Sequence, residues 1–113
     1  MSRSDLVYIK DILESINLIF SYTGHKTESE FIADNMLQDA VVRRFEIIGE
    51  AASKLSESLK QQTPQIQWRL MKAMRNKLIH EYFGVSAMTI YRTLQTDLPP
   101  LKEELKKLLD SIS

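Results

Sequence analysis

Apolar residues recur at three- and four-residue spacing along most of the chain, the period of helices that each bury one face. Leu6, Ile9, Ile12, Leu13, Ile16, Ile19 and Phe20 form one such stripe, about five turns long. Ser4 is the expected N-cap with Asp5 in the first turn, and Gly24 the expected stop. Thr27-Glu-Ser-Glu30 has the form of a capping box and predicts a short second helix through Phe31 and Ile32. A third helix is predicted from about Met36 to Leu59, with Leu37, Val41, Ile48, Ala52, Leu55 and Leu59 near one face. Gly49, Ala51 and Ala52 are small residues in its middle that permit another backbone to come close.

Pro64 interrupts the pattern. A fourth helix is predicted from about Gln65 to Tyr82, with a core stripe of Met71, Met74, Leu78 and Tyr82 and with Trp68 beside it. Gly84 ends it, and Ser86 caps a further helix through Met88, Ile90, Tyr91 and Leu94. Pro99 and Pro100 mark a kink or a fresh start before Leu101, Leu105, Leu108 and Ile112 on a last amphipathic helix. No segment reads as a strand pair and no internal repeat is visible. The expectation is an all-α, single-domain bundle of about five helices spanning residues 1–113.

Composition narrows the chemistry. Three glycines and three prolines in 113 residues fit a few long helices better than many turns. The chain has no cysteine, which excludes disulfides, thiolate metal sites and thiol nucleophiles. Two histidines, His25 and His80, argue against a zinc site built from this chain alone. No cofactor or metal is called for. Met1-Ser-Arg-Ser-Asp5 leads into an amphipathic segment, with neither a signal peptide nor a transmembrane run, so a cytoplasmic location without membrane attachment is expected.

The formal net charge is zero, which by itself argues against general nucleic-acid binding. Its distribution changes that reading. Residues 1–57 carry six basic and ten acidic side chains, and residues 81–113 carry four and five. Between them, Lys60, Arg69, Lys72, Arg75 and Lys77 occur with no Asp or Glu from Ser58 to His80. Such an island draws phosphate, although a plain solvated helix face is the competing reading.

On a regular helix Arg75 lies at the edge of the core sector, roughly 40° from Met71. Asn76 and His80 lie away from it, one turn apart and roughly 140° and 180° round. A histidine can move protons near neutral pH, a guanidinium can stabilise charge on phosphate oxygens, and an amide can orient the imidazole. RNA brings its own nucleophile, the 2′-hydroxyl. Cleavage needs both a base and an acid, so two facing copies would complete the pair. An Arg and a His near a helix end also commonly do no more than complement its dipole.

Arg75-Asn-Lys-Leu-Ile-His80-Glu-Tyr82-Phe resembles the signature of the HepT-like family, in the HEPN superfamily of helical ribonuclease toxins. The resemblance extends through Asp11-Ile-Leu, Phe31 with Asp34, Ala40-Val41, Ile47-Ile-Gly-Glu-Ala-Ala52, Pro64 through Trp68, and Asp97-Leu-Pro-Pro-Leu101. It implies a HEPN-like fold and a dimeric, metal-independent endoribonuclease, the toxin of a toxin–antitoxin pair. The implied partner is a minimal nucleotidyltransferase that transfers AMP from ATP onto the signature tyrosine and so blocks the site.

Carried onto this chain, the resemblance makes Arg75 and His80 the catalytic pair, Asn76 their support and Tyr82 the modified residue. Arg69, Lys72 and Lys77 are candidate RNA contacts. Glu50 falls near the site or serves as a structural carboxylate, and is left outside the catalytic set. Tyr82 lies on the core stripe of a regular helix, so its hydroxyl must reach the surface to be modified. Two other readings compete. The first is a non-catalytic nucleotide- or partner-binding module that serves as substrate or scaffold of the nucleotidyltransferase, favoured by the neutral charge. The second is a structural bundle that dimerises through the Ile79–Phe83 flank.

Overall fold

The computed structural model describes residues 1–81 and 87–112, with side chains described for 1–76 and 87–112. The described residues form seven helices and no strand: α1 (Arg3–Thr23), α2 (Glu28–Ile32), α3 (Asn35–Ser53), α4 (Glu57–Gln62), α5 (Trp68–Glu81), α6 (Ala87–Thr96) and α7 (Leu98–Ile112). The all-α architecture is as the periodicity predicts. The helix count is higher because the predicted helix from Met36 to Leu59 is two helices and the Pro99–Pro100 segment starts a helix of its own.

The cap of α1 lies two residues before the expected one. Ser2, not Ser4, accepts the Asp5 N–H at 3.0 Å. Its stripe is as read, with Ile9, Ile12, Ile16 and Ile19 fully buried. Burying an aliphatic side chain of this size contributes about 1.5–3 kcal/mol each. Gly24 closes the helix at φ +45°, where its N–H donates to the Phe20 carbonyl at 2.7 Å. The capping box of α2 forms in both directions, the Thr27 hydroxyl accepting the Glu30 N–H and the Glu30 carboxylate accepting the Thr27 N–H. The Thr27 backbone bond first, and its nearby hydroxyl second, hold the Glu30 carboxyl below its ordinary value. Asp34 then caps α3, and Gln38 donates to the carbonyls of Phe31 and Ile32 at 2.9 and 3.0 Å. That tie satisfies the end of α2 and fixes the break near Asn35.

The predicted helix from Met36 to Leu59 is two helices, and the cause is distant in sequence. The Asp5 carboxylate accepts the Ser56 N–H at 2.9 Å and its hydroxyl at 2.6 Å. Ser56 thereby becomes the N-cap of α4 rather than a continuation of α3. Burial acts to raise the Asp5 pKa. The bonds from the Ser56 side chain and backbone, and then from Ser2, outweigh it and leave the carboxyl below its ordinary value.

α5 begins at Trp68 instead of Gln65. Thr63 explains the delay: its hydroxyl donates to the Leu59 carbonyl at 2.8 Å and accepts the Trp68 indole N–H at 2.8 Å. This buried relay ties the end of α4 to the first residue of α5. Pro99 and Pro100 sit in the first turn of α7, where a missing N–H costs no helical bond, so they mark a fresh start rather than a kink.

α3 is the central helix, packed between α1 and α5, while α7 lies against α1 and α6. α2 docks on α6, with Phe31 and Tyr91 ring centroids 5.5 Å apart and the Tyr91 hydroxyl donating to the Lys26 carbonyl at 2.9 Å. Among the described residues, no helix is long and apolar enough to cross a membrane.

Candidate functional site

The contact between α3 and α5 positions Arg75. Gly49 on α3 faces it with no side chain of its own. A Cβ at position 49 would overlap the Arg75 Cβ, and would lie 2.9 Å from its Cγ and 3.0 Å from the Met71 carbonyl oxygen. Glycine here is therefore a steric requirement of the site's own arginine, and more than tight core packing.

Glu50, the next residue on α3, forms an ion pair with Arg75 through Oε2 and Nη1. On the other side, Asn76 Oδ1 accepts from Arg75 Nε at 3.1 Å and from Nη2 at 2.7 Å. The guanidinium is thus clamped between two helices, with its side chain only 18% exposed. Three of its five N–H donors are engaged by Glu50 and Asn76.

The sequence reading gave Asn76 the task of orienting His80. Among the described residues its carbonyl oxygen accepts from Arg75, which leaves the expected contact with His80 outside what is described. The expectations placed on the side chains of Lys77 and His80, and on Tyr82, lie outside the described residues, as does the Ile79–Phe83 flank.

Arg75 and Glu50 border a cleft of about 210 Å³. Tyr8 and Asp11 of α1 form one wall, and Arg43, Glu46 and Ile47 of α3 another, with Lys54 at its end. Lys54 lies 5.9 Å from the centre of the Tyr8 ring, and Arg43 pairs with Glu46 at 3.3 Å. The cleft mixes three acidic with three basic side chains, so it suits a polar ligand carrying both charge and hydrogen-bonding groups. Among the described residues no group of His, Asp and Glu is placed to hold a metal ion.

Arg69 and Lys72 do not enter this cleft. They line a second pocket, on the other side of the last turn of α3.

Sequence reasoning undervalued Glu50. Its signal was the Gly-Glu pair in mid-helix, where a residue that allows close approach stands beside one that can reach across. Tyr8 carried no signal at all, because its place depends on how α1 packs on α3.

The model of the family described as ribonuclease HepT-like matches residues 12–108. The chain belongs to the ribonuclease HepT-like family. The match takes in every site residue named above except Tyr8 and Asp11, which precede it. A probable ribonuclease HepT of Thermococcus cleftensis is 43% identical over 108 residues, covering 96% of this chain and 98% of that protein. A protein of Methanocaldococcus jannaschii with the provisional name of an RNase is 35% identical over 113 residues, covering 99% of this chain and 93% of its own length. A second protein of that organism combines a gamma-glutamylcyclotransferase with a provisionally named RNase. It is 41% identical over 112 residues, and the match takes up half of its length. No solved structure matches the chain.

Proposed function

We propose that this HepT-like chain is a metal-independent endoribonuclease, the toxin of a HEPN–nucleotidyltransferase pair, and that AMP transfer to Tyr82 neutralises it. The observation that carries the reading is the clamp on Arg75. A guanidinium held by Glu50 and Asn76 beside a polar cleft is suited to a phosphate whose charge rises in the transition state.

In the reaction, the RNA 2′-hydroxyl attacks the adjacent phosphorus and the 5′-oxygen of the next nucleotide leaves. The products are a 2′,3′-cyclic phosphate and a 5′-hydroxyl. His80 moves the proton, as base toward the 2′-hydroxyl or as acid toward the leaving oxygen, and His80 of a second copy takes the other role. Arg75 binds the non-bridging oxygens, and Asn76 holds Arg75. Arg69, Lys72 and Lys77 attract the rest of the RNA backbone, and the protein works in the cytoplasm as a homodimer. In the off state the Tyr82 hydroxyl attacks the α-phosphorus of ATP on the partner nucleotidyltransferase and pyrophosphate leaves. The added phosphate, two residues from His80, repels the RNA backbone.

The test is cleavage of RNA by purified protein with EDTA present. The expected result is fragments ending in 2′,3′-cyclic phosphate, with cleavage abolished in a folded His80→Ala variant. Undiminished cutting by that variant overturns the mechanism. No cutting by the wild type favours the scaffold reading, in which the partner and ATP still add mass to the chain while Tyr82→Phe takes none.

A further inference from the structure

The second pocket, about 480 Å³ in volume, lies where the end of α3, α4 and the start of α5 meet. Lys60 of α4 and Arg69 and Lys72 of α5 line it, with Gln67 and Ser53 as neutral hydrogen-bonding groups and Trp68 in its wall. We infer that this pocket is a phosphate subsite for single-stranded RNA, holding a backbone phosphate upstream or downstream of the one bound at Arg75. The inference rests on the RNA-cutting reading and adds the path of the strand.

Three observations support it. The first is convergence: three of the five cations in the acid-free stretch from Ser58 to His80 line one pocket, although Lys60 and Arg69 are on different helices. The second is charge balance. Glu57 is the one carboxylate in the lining; it pairs with Lys60 at 3.6 Å, but its side chain is 81% exposed and the pair is weak and screened. Arg69 and Lys72 have no ion-pair partner among the described residues. Arg69 also stands in the first turn of α5, where the helix dipole disfavours positive charge, so its placement costs stability unless an anion offsets it.

The third is register. Arg69, Lys72 and Arg75 follow one another at three-residue steps, about 4.5 Å of rise each along α5. Neighbouring side chains in such a series are about 5–6 Å apart at Cβ, close enough to engage successive phosphates of one extended strand. The last turn of α3 separates the two pockets, with Ala51 facing the Arg75 cleft and Ala52 and Ser53 facing this one. A strand crossing that turn would engage both.

The experiment measures binding of a short single-stranded 2′-O-methyl oligoribonucleotide, which lacks the attacking hydroxyl, by fluorescence anisotropy over a range of salt. The wild type is compared with Arg69→Gln/Lys72→Gln and with Lys10→Gln/Lys106→Gln, which removes two exposed lysines from α1 and α7. The first variant should bind roughly tenfold more weakly, with the log–log salt slope shallower by about 1.4, the value for two lost single-strand phosphate contacts. The second should bind as the wild type does. Equal weakening of both variants, or of neither, overturns the subsite. So does tight binding of ATP alone that Arg69→Gln/Lys72→Gln abolishes, since that outcome makes the pocket a nucleotide site. Wild-type cleavage of unmodified RNA is scored separately. Cleavage without the predicted binding loss removes the subsite and keeps the ribonuclease; the binding loss without cleavage does the reverse.

Discussion

Gly49→Ala is the substitution whose outcome the packing of α3 on α5 fixes most tightly. In an open mid-helix position, alanine would gain about 1 kcal/mol of helix propensity over glycine. Here the new methyl meets the Arg75 Cβ and Cγ and the Met71 carbonyl oxygen. The Cβ and the carbonyl are fixed to the α5 backbone, so a rotamer change cannot relieve the overlap, and the two helices must part. Overpacking of this kind costs about 1–3 kcal/mol, and overlap this deep belongs at the upper end. The net loss is then about 2 kcal/mol, a fall in Tm of about 8–12 °C for a chain of this size. Parting the helices also carries Arg75 off its position, and a shift of about 1 Å at such a group lowers the rate roughly 100-fold. Thermal unfolding by circular dichroism and RNA cleavage well below Tm measure the two effects. A Gly49→Ala protein that melts higher than the wild type and cuts RNA as fast would refute this account of the contact.

Glu50→Gln should leave the stability to unfolding within about 1 kcal/mol of the wild type, because the Glu50 side chain is 53% exposed and such pairs stabilise little. It should bind oligoribonucleotide more tightly, since a carboxylate next to the phosphate-binding arginine has gone, and turn over more slowly, since Arg75 has lost a restraint; weaker binding would count against that placement. Asp5→Asn should cost about 1.5–3 kcal/mol in denaturant unfolding through its two bonds to Ser56. The folded Asp5 carboxyl lies below its ordinary value of 3.8, so its contribution is complete above that value and is lost as pH falls from there through the folded pKa. Asp5→Asn should therefore flatten the acid limb of the stability profile, and an unchanged limb would show that Asp5 does not drive it.

Local signals placed the helices well and long-range ties less well. The stripe of α1, the capping box of α2 and the glycine stop at Gly24 depend on residues within a turn of one another, and all three formed. The break between α3 and α4 depends on Asp5, 51 residues from Ser56, and the periodicity runs straight through it. The delayed start of α5 likewise follows from Trp68 reaching back to Thr63.

At the site, Arg75 and Asn76 were each legible as candidates, but the amide was read as a partner of His80, and its two bonds from the neighbouring guanidinium were not foreseen. The clamp from Glu50 was only half visible. A glycine at 49 announces that something comes close, and tertiary packing decides that it is Arg75. The pocket formed by Lys60, Arg69 and Lys72 was foreshadowed by the missing acids between Ser58 and His80, but the turn at Thr63–Gln67 is what folds α4 and α5 together around it.

The most direct test of the central claim, that Arg75 is the phosphate-stabilising group of an RNA-cutting site, is the single-turnover cleavage rate of Arg75→Ala in EDTA, measured beside its melting curve. Removing the Arg75 side chain, only 18% exposed and bonded to both Glu50 and Asn76, should cost about 1–3 kcal/mol of stability. Losing a preorganised donor to the reacting phosphate should slow cleavage roughly 100- to 1,000-fold. A folded Arg75→Ala protein that cuts RNA at the wild-type rate would contradict the assignment.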